Sequence, residues 1–247
     1  MAVAGNQFNI CFTRIPLNAT PVVVRNMVLE QALVDSDIVV LVDADDMLFE
    51  TRVEAARKSA EKNDVTAAAM GYMDENGNRM DGFFDPYAGD KRLIKNNVFG
   101  FSNTTWRSRL LQNVLPVSEN CVLMDWYVTT LALYSGATLG IDPEPRMLYR
   151  QHPGNIAVFR PPFRSEQIIK TANLVLGHYD LILNAFTEKG IKGGGKFREA
   201  ENYVSQFAEA IKDQNLLEKY ANALNYLPNK HVWWSCVAHP DLEEIWV

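Results

Sequence analysis

The feature that most constrains the fold of this chain is a short apolar run that ends in three carboxylates. Residues 38–42 read Ile-Val-Val-Leu-Val, and Asp43, Asp45 and Asp46 follow them directly. Five aliphatic residues are too few for a core helix, so the run predicts a strand buried on both faces of a sheet. The carboxylates would then emerge at the end of that strand, where open α/β sheets bind their ligands.

Asp43 and Asp45 are two residues apart, and carboxylates held this close repel each other unless a cation lies between them. Hard divalent cations such as Mg²⁺ and Mn²⁺ prefer oxygen ligands and bind together with substrate phosphates. The pair therefore predicts a divalent cation site. The alternative is a solvated turn after the strand, with Asp46 capping the next helix.

Composition indicates a globular protein with one substantial core. The 247 residues are 47% hydrophobic, and the net charge of −6 argues against a nucleic-acid partner, which would need a basic face. No apolar stretch reaches the roughly 18 residues of a membrane span, and no signal-peptide pattern opens the chain. The three cysteines are far apart, as in proteins of a reducing compartment, so we expect a cytoplasmic protein.

Periodicity and turn residues predict alternating helices and strands, followed by helices alone. An Asn-Gly turn at residues 76–77 predicts a hairpin between the strands on either side. The predicted strands are 8–15, 38–42, 65–73, 79–84, 98–105, 138–141 and 146–150. The predicted helices are 21–33, 49–62, 107–114, 125–135, 165–187 and 196–224.

This order predicts two parts: an α/β domain over residues 1–161 and a helical subdomain over 162–247. The apolar stripes of the last two helices must pack against another surface. The exposed flank of the sheet and a second copy of the chain are both candidates, which leaves a homo-oligomer open.

Three motifs stand in a distinctive order along residues 8–158. The first joins Val-Arg-Asn-Met-Val-Leu-Glu-Gln-Ala, at 24–32, to Asp-Ala-Asp-Asp at 43–46. The second is Met-Asp-Trp-Tyr at 124–127, and the third is Tyr-Arg-Gln-His-Pro-Gly-Asn-Ile at 149–156. In this order and spacing, the set resembles the family 2 glycosyltransferases.

The resemblance implies a GT-A-like (Rossmann-like) mixed sheet flanked by helices, to which the C-terminal helices are an appendage. It implies transfer of a sugar from a UDP- or GDP-sugar to a hydroxyl of a glycan or other acceptor, with inversion and with Mn²⁺ or Mg²⁺ as cofactor. The ion would neutralise the charge that develops on the departing nucleoside diphosphate.

The resemblance also assigns roles to individual residues. Asp45 is expected to bind the metal directly, with Asp43 reaching the ribose or a metal-bound water. Asp125 is the expected general base, the alternative being an ordinary helix N-cap. Arg25 is expected on the donor side.

The other expected site residues lie in the second and third motifs. Arg150 and His152 would reach the pyrophosphate, and His152 also the metal. The alternative is that Tyr149-Arg150 belongs to a strand and that His152 is a solvated loop residue. Trp126, next to the expected base, would stack against the acceptor sugar. The paired Trp233 and Trp234 are expected to pack against the helical tail instead.

Two departures from the family pattern keep alternatives open. Met124 stands where these enzymes carry Glu, and no Asp-Asp-Gly-Ser-like segment precedes Asp43 to mark the usual nucleotide-binding β-α-β unit. One alternative is a catalytically silent domain of the same fold that binds a sugar nucleotide or a partner chain. Another is a metal-dependent phosphotransferase or nucleotidyltransferase. Such enzymes commonly bind phosphate with a glycine-rich loop between a strand and a helix, and the glycines at 193–195 follow no predicted strand.

Overall fold

A central mixed sheet flanked by helices forms the core of the computed structural model, which describes residues 10–152, 154–157, 160–228 and 232–247. Within these residues the strands are β1 (Ile38–Val40), β2 (Met47–Leu48), β3 (Val65–Met73), β4 (Arg79–Phe84), β5 (Thr104–Arg107) and β6 (Leu139–Arg150). The helices are α1 (Pro21–Ala32), α2 (Arg52–Ala60), α3 (Ser108–Val114), α4 (Met124–Tyr134), α5 (Ser165–Lys189), α6 (Gly194–Ala210) and α7 (Gln214–Tyr226). The predicted α/β class is confirmed.

The sheet is built around β3, whose residues are almost all buried. Its strand order is β1-β5-β3-β6-β2, and β4 pairs with the far end of β3 beyond β5. The β3 and β6 strands run parallel, whereas the other pairs are antiparallel. The hairpin between β3 and β4 confirms the prediction from the Asn-Gly turn.

The carboxylate run, residues 41–46, crosses one end of this sheet. The β1 strand lies at one edge and β2 at the other, so residues 41–46 run past the ends of the strands between them. The prediction that 38–42 is buried on both faces was wrong. The strand ends at Val40, and only Val39 is fully buried, because β1 is an edge strand that pairs with β5 alone among the described residues.

Local signals placed most of the helices correctly. Thr20 caps α1 by accepting a hydrogen bond from the Val23 amide, and Pro21 occupies the first helical position. The helix predicted over 196–224 is two helices, α6 and α7. The chain breaks between them because the Asp213 side chain accepts hydrogen bonds from the amides of Asn215 and Leu216 and so starts a new helix.

Four further strand predictions need correction. Residues 10–15 form no strand and expose Ile10 and Phe12, while the first two residues of the predicted 8–15 strand lie outside the described residues. Only the end of the predicted 98–105 strand pairs, as β5, because 98–103 is a loop that ends in a turn over 101–103. The Asn103 side chain holds this loop by donating to the carbonyls of Ala68 and Val98. The predicted strands 138–141 and 146–150 are one irregular strand, β6.

The C-terminal helices pack directly on the α/β part. Tyr134 of α4 lies with its ring 5.1 Å from that of Phe186 in α5 and 5.3 Å from that of Phe197 in α6, measured between centroids. The buried side chains of both parts form one continuous core. The helical character of residues after 162 is confirmed, and their status as a separate domain stays a prediction. None of the helices in the described ranges is both long enough and apolar enough to cross a membrane.

Candidate active site

A cleft of about 220 Å³ opens where the carboxylate run crosses the end of the sheet. Elements distant in sequence each contribute charged or polar side chains to its walls. The residues predicted from the motifs that line it are Arg25 from α1, Asp43 and Asp45 after β1, Asp125 from α4 and His152 after β6.

Asp43 is held by an ion pair and by its backbone. One guanidinium nitrogen of Arg25 lies 3.4 Å from both carboxylate oxygens of Asp43, and the amide of Asp43 donates to the Ser102 hydroxyl at 2.9 Å. The Arg25 guanidinium also lies over the Phe101 ring, 5.1 Å from its centroid. This end of the cleft therefore presents one fixed positive and one fixed negative charge to a ligand.

Asp45 contacts His152, so residues of the first and third motifs meet in the cleft. Nε2 of His152 lies 3.1 Å from a carboxylate oxygen of Asp45, and the amide of Gly154 donates to Nδ1 of the same ring. Because Nδ1 accepts this bond, the neutral ring carries its proton on Nε2 and donates it to Asp45. In this arrangement His152 orients Asp45, and binding a metal through Nε2 would require that proton to leave.

The oxygen ligands in this cleft suit a divalent cation that also binds a substrate. Among the described residues, no group of three or more histidine, cysteine, aspartate or glutamate side chains is arranged to hold a metal ion by itself. Asp43 and Asp45 nevertheless place two half-exposed carboxylates on one cleft. Mg²⁺ is typically bound by one or two carboxylates plus substrate phosphates, and this pair fits such a site.

Asp125 occupies the first turn of α4 and faces the cleft. One of its oxygens accepts from the Trp126 amide at 2.8 Å, and the other accepts from the Asn97 side chain at 3.3 Å. Burial raises the pKa of the Asp125 carboxyl to about 6, an effect that the nearby Arg25 partly offsets. Asp125 is not the N-cap, which is Leu123. A carboxylate with a pKa near 6 is well suited to accept a proton at neutral pH.

Asp46 lies behind the cleft instead of capping a helix. It accepts a hydrogen bond from the Arg150 amide at 3.0 Å, and burial raises its pKa to about 6, with Asp45 and Asp43 adding smaller repulsive contributions. The N-cap position of the next helix, α2, is Thr51. Asp46 therefore fixes the carboxylate run to β6.

We predict that Asp46→Asn stabilises the protein at neutral pH. A carboxyl with a raised pKa binds its proton more tightly in the folded state, so its contribution to stability is lost as the pH rises from about 4 through 6. Asn cannot ionise and still accepts from the Arg150 amide. Urea denaturation should show a gain of about 1–3 kcal/mol at pH 7.5 and little difference at pH 4. Asp81→Asn, at an exposed site, is the control, and equal stabilities of Asp46→Asn and the native chain at pH 7.5 would contradict the assignment.

Arg150 does not lie in the cleft wall, although it was predicted to reach the pyrophosphate of the sugar donor. Its Nε donates to the Asp45 carbonyl at 2.7 Å, and Nη1 donates to the carbonyls of Asp74 and Glu75 at 3.2 and 3.0 Å. These bonds engage Nε and Nη1, so each two-nitrogen edge of the guanidinium already has one nitrogen in use and neither can bind a phosphate as an intact fork. Arg150 instead ties the carboxylate run to the β3–β4 turn.

The prediction that Trp126 stacks against the acceptor sugar was also wrong. Its side chain is fully buried, its indole nitrogen donates to the Leu93 carbonyl at 2.8 Å, and its ring stacks on His178 with centroids 4.1 Å apart. A ring enclosed in this way cannot contact an acceptor sugar. Trp126 supports the helix that carries Asp125.

Trp233 and Trp234 line the cleft, a position that the sequence did not predict. Trp233 lies against Phe84, with ring centroids 4.5 Å apart, and its ring approaches Gly100 so closely that a Cβ there would clash. Asn97, which lies outside every predicted helix and strand, was not predicted as a site residue because a single asparagine in a polar stretch carries no signal. The sequence signal for Trp233 and Trp234 is that they do not fit the three- and four-residue spacing of a packed helix.

Comparisons with known proteins give partial likenesses to solved structures alone. No family model matches the chain, and none of the curated proteins matches it. Among solved structures, the chain is similar to S. aureus TarS 1–349 in complex with UDP-GlcNAc, with 15% identity and a TM-score of 0.42. The similarity covers 81% of this chain and 67% of that one.

Proposed function

We propose that this chain is a glycosyltransferase that moves a sugar from a nucleotide-sugar donor to an acceptor hydroxyl, with inversion, in the manner of family 2 enzymes. The observation that carries the proposal is that the carboxylates of Asp43 and Asp45 and the partly buried carboxylate of Asp125 line one cleft. Such a transfer needs a group that holds a diphosphate and a separate group that accepts a proton.

The donor diphosphate would bind at the end of the cleft that carries Arg25, Asp43 and Asp45. Arg25 supplies a positive charge there, held in place by its ion pair with Asp43. Asp45, with Asp43 beside it, would hold Mn²⁺ or Mg²⁺, whose chemistry at such a site is to neutralise charge on the departing nucleoside diphosphate. His152 keeps the Asp45 carboxylate oriented through its Nε2 proton.

Asp125 would act as the general base. An acceptor hydroxyl that attacks the anomeric carbon must lose its proton, and a carboxylate opposite the leaving group takes it. The Asn97 side chain and the Trp126 amide hold both oxygens of Asp125 in place, so one lone pair on each remains for the incoming hydroxyl. A single base acting on the acceptor leads to inversion at the anomeric carbon.

Titration calorimetry with UDP and GDP, in Mn²⁺ and in EDTA, tests the proposal most directly. We expect micromolar to millimolar binding of one nucleotide in Mn²⁺ and much weaker binding in EDTA. The corresponding nucleotide-sugars should release nucleoside diphosphate when acceptors are added. Metal-dependent binding without any release would favour the silent domain, and no binding of either nucleotide would reject the enzyme and leave only a silent domain that binds a partner chain.

A further inference from the structure

The side chain of Asn97 is fully buried beside the expected base, and its hydrogen bonds decide which end of its amide faces Asp125. Its oxygen, Oδ1, accepts from the Phe99 amide at 2.9 Å. Its nitrogen, Nδ2, donates to the Phe99 carbonyl at 3.2 Å and to Oδ2 of Asp125 at 3.3 Å. A flipped amide would place its oxygen against two acceptors, so the backbone of Phe99 selects the orientation in which Asp125 receives a donor.

This hydrogen bond completes the support of the Asp125 carboxylate. The Trp126 amide donates to Oδ1 of Asp125 at 2.8 Å, and Asn97 donates to Oδ2. With one donor on each oxygen, the carboxylate cannot rotate without breaking a hydrogen bond. A base that must meet an incoming hydroxyl in one geometry loses rate when it can turn away from it.

The helical part of the chain holds the segment that carries Asn97. The hydroxyl of Tyr179, a buried residue of α5, donates to the Ile94 carbonyl at 2.8 Å. Three residues further on, the Asn97 amide donates to the Trp233 carbonyl at 3.4 Å. Groups that are remote in sequence from both Asn97 and Asp125 therefore set where the Asn97 side chain lies.

We propose that Asn97 is a positioning residue for sugar transfer, which orients the Asp125 carboxylate toward the acceptor hydroxyl, and that Tyr179 keeps Asn97 in place. This inference rests on the proposed function, in which Asp125 is the base. It gives α5 a part in the reaction through hydrogen bonds, without contact with a substrate.

Loss of the Asn97 bond should raise the pKa of Asp125, because a donor to a carboxylate favours the ionised form. Asn97→Leu removes the donor, so the pKa should rise by about one unit from its native value of about 6. Asn97→Asp still accepts from the Phe99 amide, which protects the fold, but it places a second carboxyl against the first. The pair should then titrate at a still higher pH.

The other charged and titratable groups near Asp125 do not explain such a shift. Arg25 on α1 and Asp43 after β1 act on Asp125 in opposite directions, and both variants keep this ion pair. Burial raises the pKa of Cys121 to about 12 and also raises that of Tyr149, so neither group ionises near pH 6.

The chain provides a matched control in Asn225. Its side chain donates to the Phe163 carbonyl and accepts from the Phe163 amide, just as Asn97 does with Phe99. In the described part of the chain, the hydrogen bonds of the Asn225 side chain go to that backbone alone. Asn225→Leu and Asn225→Asp therefore reproduce the structural cost of the Asn97 variants and should leave Asp125 unchanged.

The first test needs no catalytic activity. The pKa of Asp125 is measured by NMR from the ¹³Cγ signal of labelled aspartate, which is assigned by its loss in Asp125→Asn. We expect a pKa near 6 in the native chain and in both Asn225 variants, and higher values in both Asn97 variants. An Asp125 pKa that does not change in the Asn97 variants would overturn the inference.

The second test is kinetic. Both Asn97 variants should lower kcat at pH 7 about 10-fold or more, the low end for a hydrogen bond to a charged group, and leave the Kd of UDP unchanged. Tyr179→Phe should lower kcat several-fold, whereas Tyr226→Phe, at an exposed site in α7, should not. An unchanged kcat in the Asn97 variants would overturn the inference, and an unchanged kcat in Tyr179→Phe would overturn the role of α5.

Failure of the proposed function would be visible separately. A native chain that binds no nucleotide and transfers no sugar would reject that function, whereas the NMR titration would still show whether Asn97 holds the Asp125 carboxylate.

Discussion

Asp125→Asn should reduce sugar transfer by about 10²–10⁴-fold while leaving the affinity for nucleoside diphosphate nearly unchanged. Asn keeps the shape of the side chain, so its oxygen can still accept from the Trp126 amide, but it cannot take a proton from the acceptor. The loss should therefore appear in kcat, and the measurement is turnover at saturating donor together with calorimetric binding of UDP.

The pH dependence of the native enzyme gives an independent check on Asp125. Because burial raises its pKa to about 6, the carboxyl is protonated and inactive as a base below that value. Activity should rise with pH through about 6 and level off above it, and this rise should be absent from the residual activity of Asp125→Asn.

Loss of folding will not explain the loss of activity. The raised pKa means that ionised Asp125 destabilises the folded state above pH 6, which offsets the hydrogen bond from Asn97 that the Asn variant loses, so the variant should stay folded there. Asp180→Asn, which removes an exposed carboxylate from α5, is the matched control and should keep full activity. A decrease of only a few-fold in Asp125→Asn would show that Asp125 is a structural residue.

Asp45→Ala should abolish the part of nucleotide binding that depends on Mn²⁺. Changes to groups that merely orient a metal ligand cost about 10–100-fold in affinity, so the loss of a direct ligand should cost at least about 100-fold. The measurement is calorimetric titration of UDP in Mn²⁺ and in EDTA, in which the two affinities of the variant should become equal.

The fold should tolerate the Asp45→Ala change. The Asp45 side chain is half-exposed, and Arg150 bonds to its backbone carbonyl, which the substitution keeps. Asp81→Ala, an exposed carboxylate on β4, should bind UDP as the native chain does. Equal affinity of the native chain in Mn²⁺ and in EDTA would contradict the metal-dependent reading of the carboxylate pair.

The sequence by itself determined the elements whose signals are local. Thr20 and Pro21 start α1, the Asn-Gly turn sets the β3–β4 hairpin, and three- and four-residue periodicity predicts α5. Each of these signals depends on residues within one turn or a few positions along the chain. The order of the motifs also pointed to five residues that the structure brings into one cleft: Arg25, Asp43, Asp45, Asp125 and His152. Their chemical roles stay predictions.

Only the tertiary structure decided which way the aromatic and basic side chains near the motifs face. Trp126 is turned into the core because its indole bonds to Leu93, 33 positions away, whereas Trp233 and Trp234 reach the cleft from the C-terminal region. Arg150 is occupied by carbonyls of Asp45 and of the distant β3–β4 turn. A tryptophan or an arginine can pack in a core, tie two segments together or bind a ligand. The residues that decide which of these roles it takes lie far away in the sequence. No local pattern encodes that choice, since it depends on how the sheet and the helices pack together.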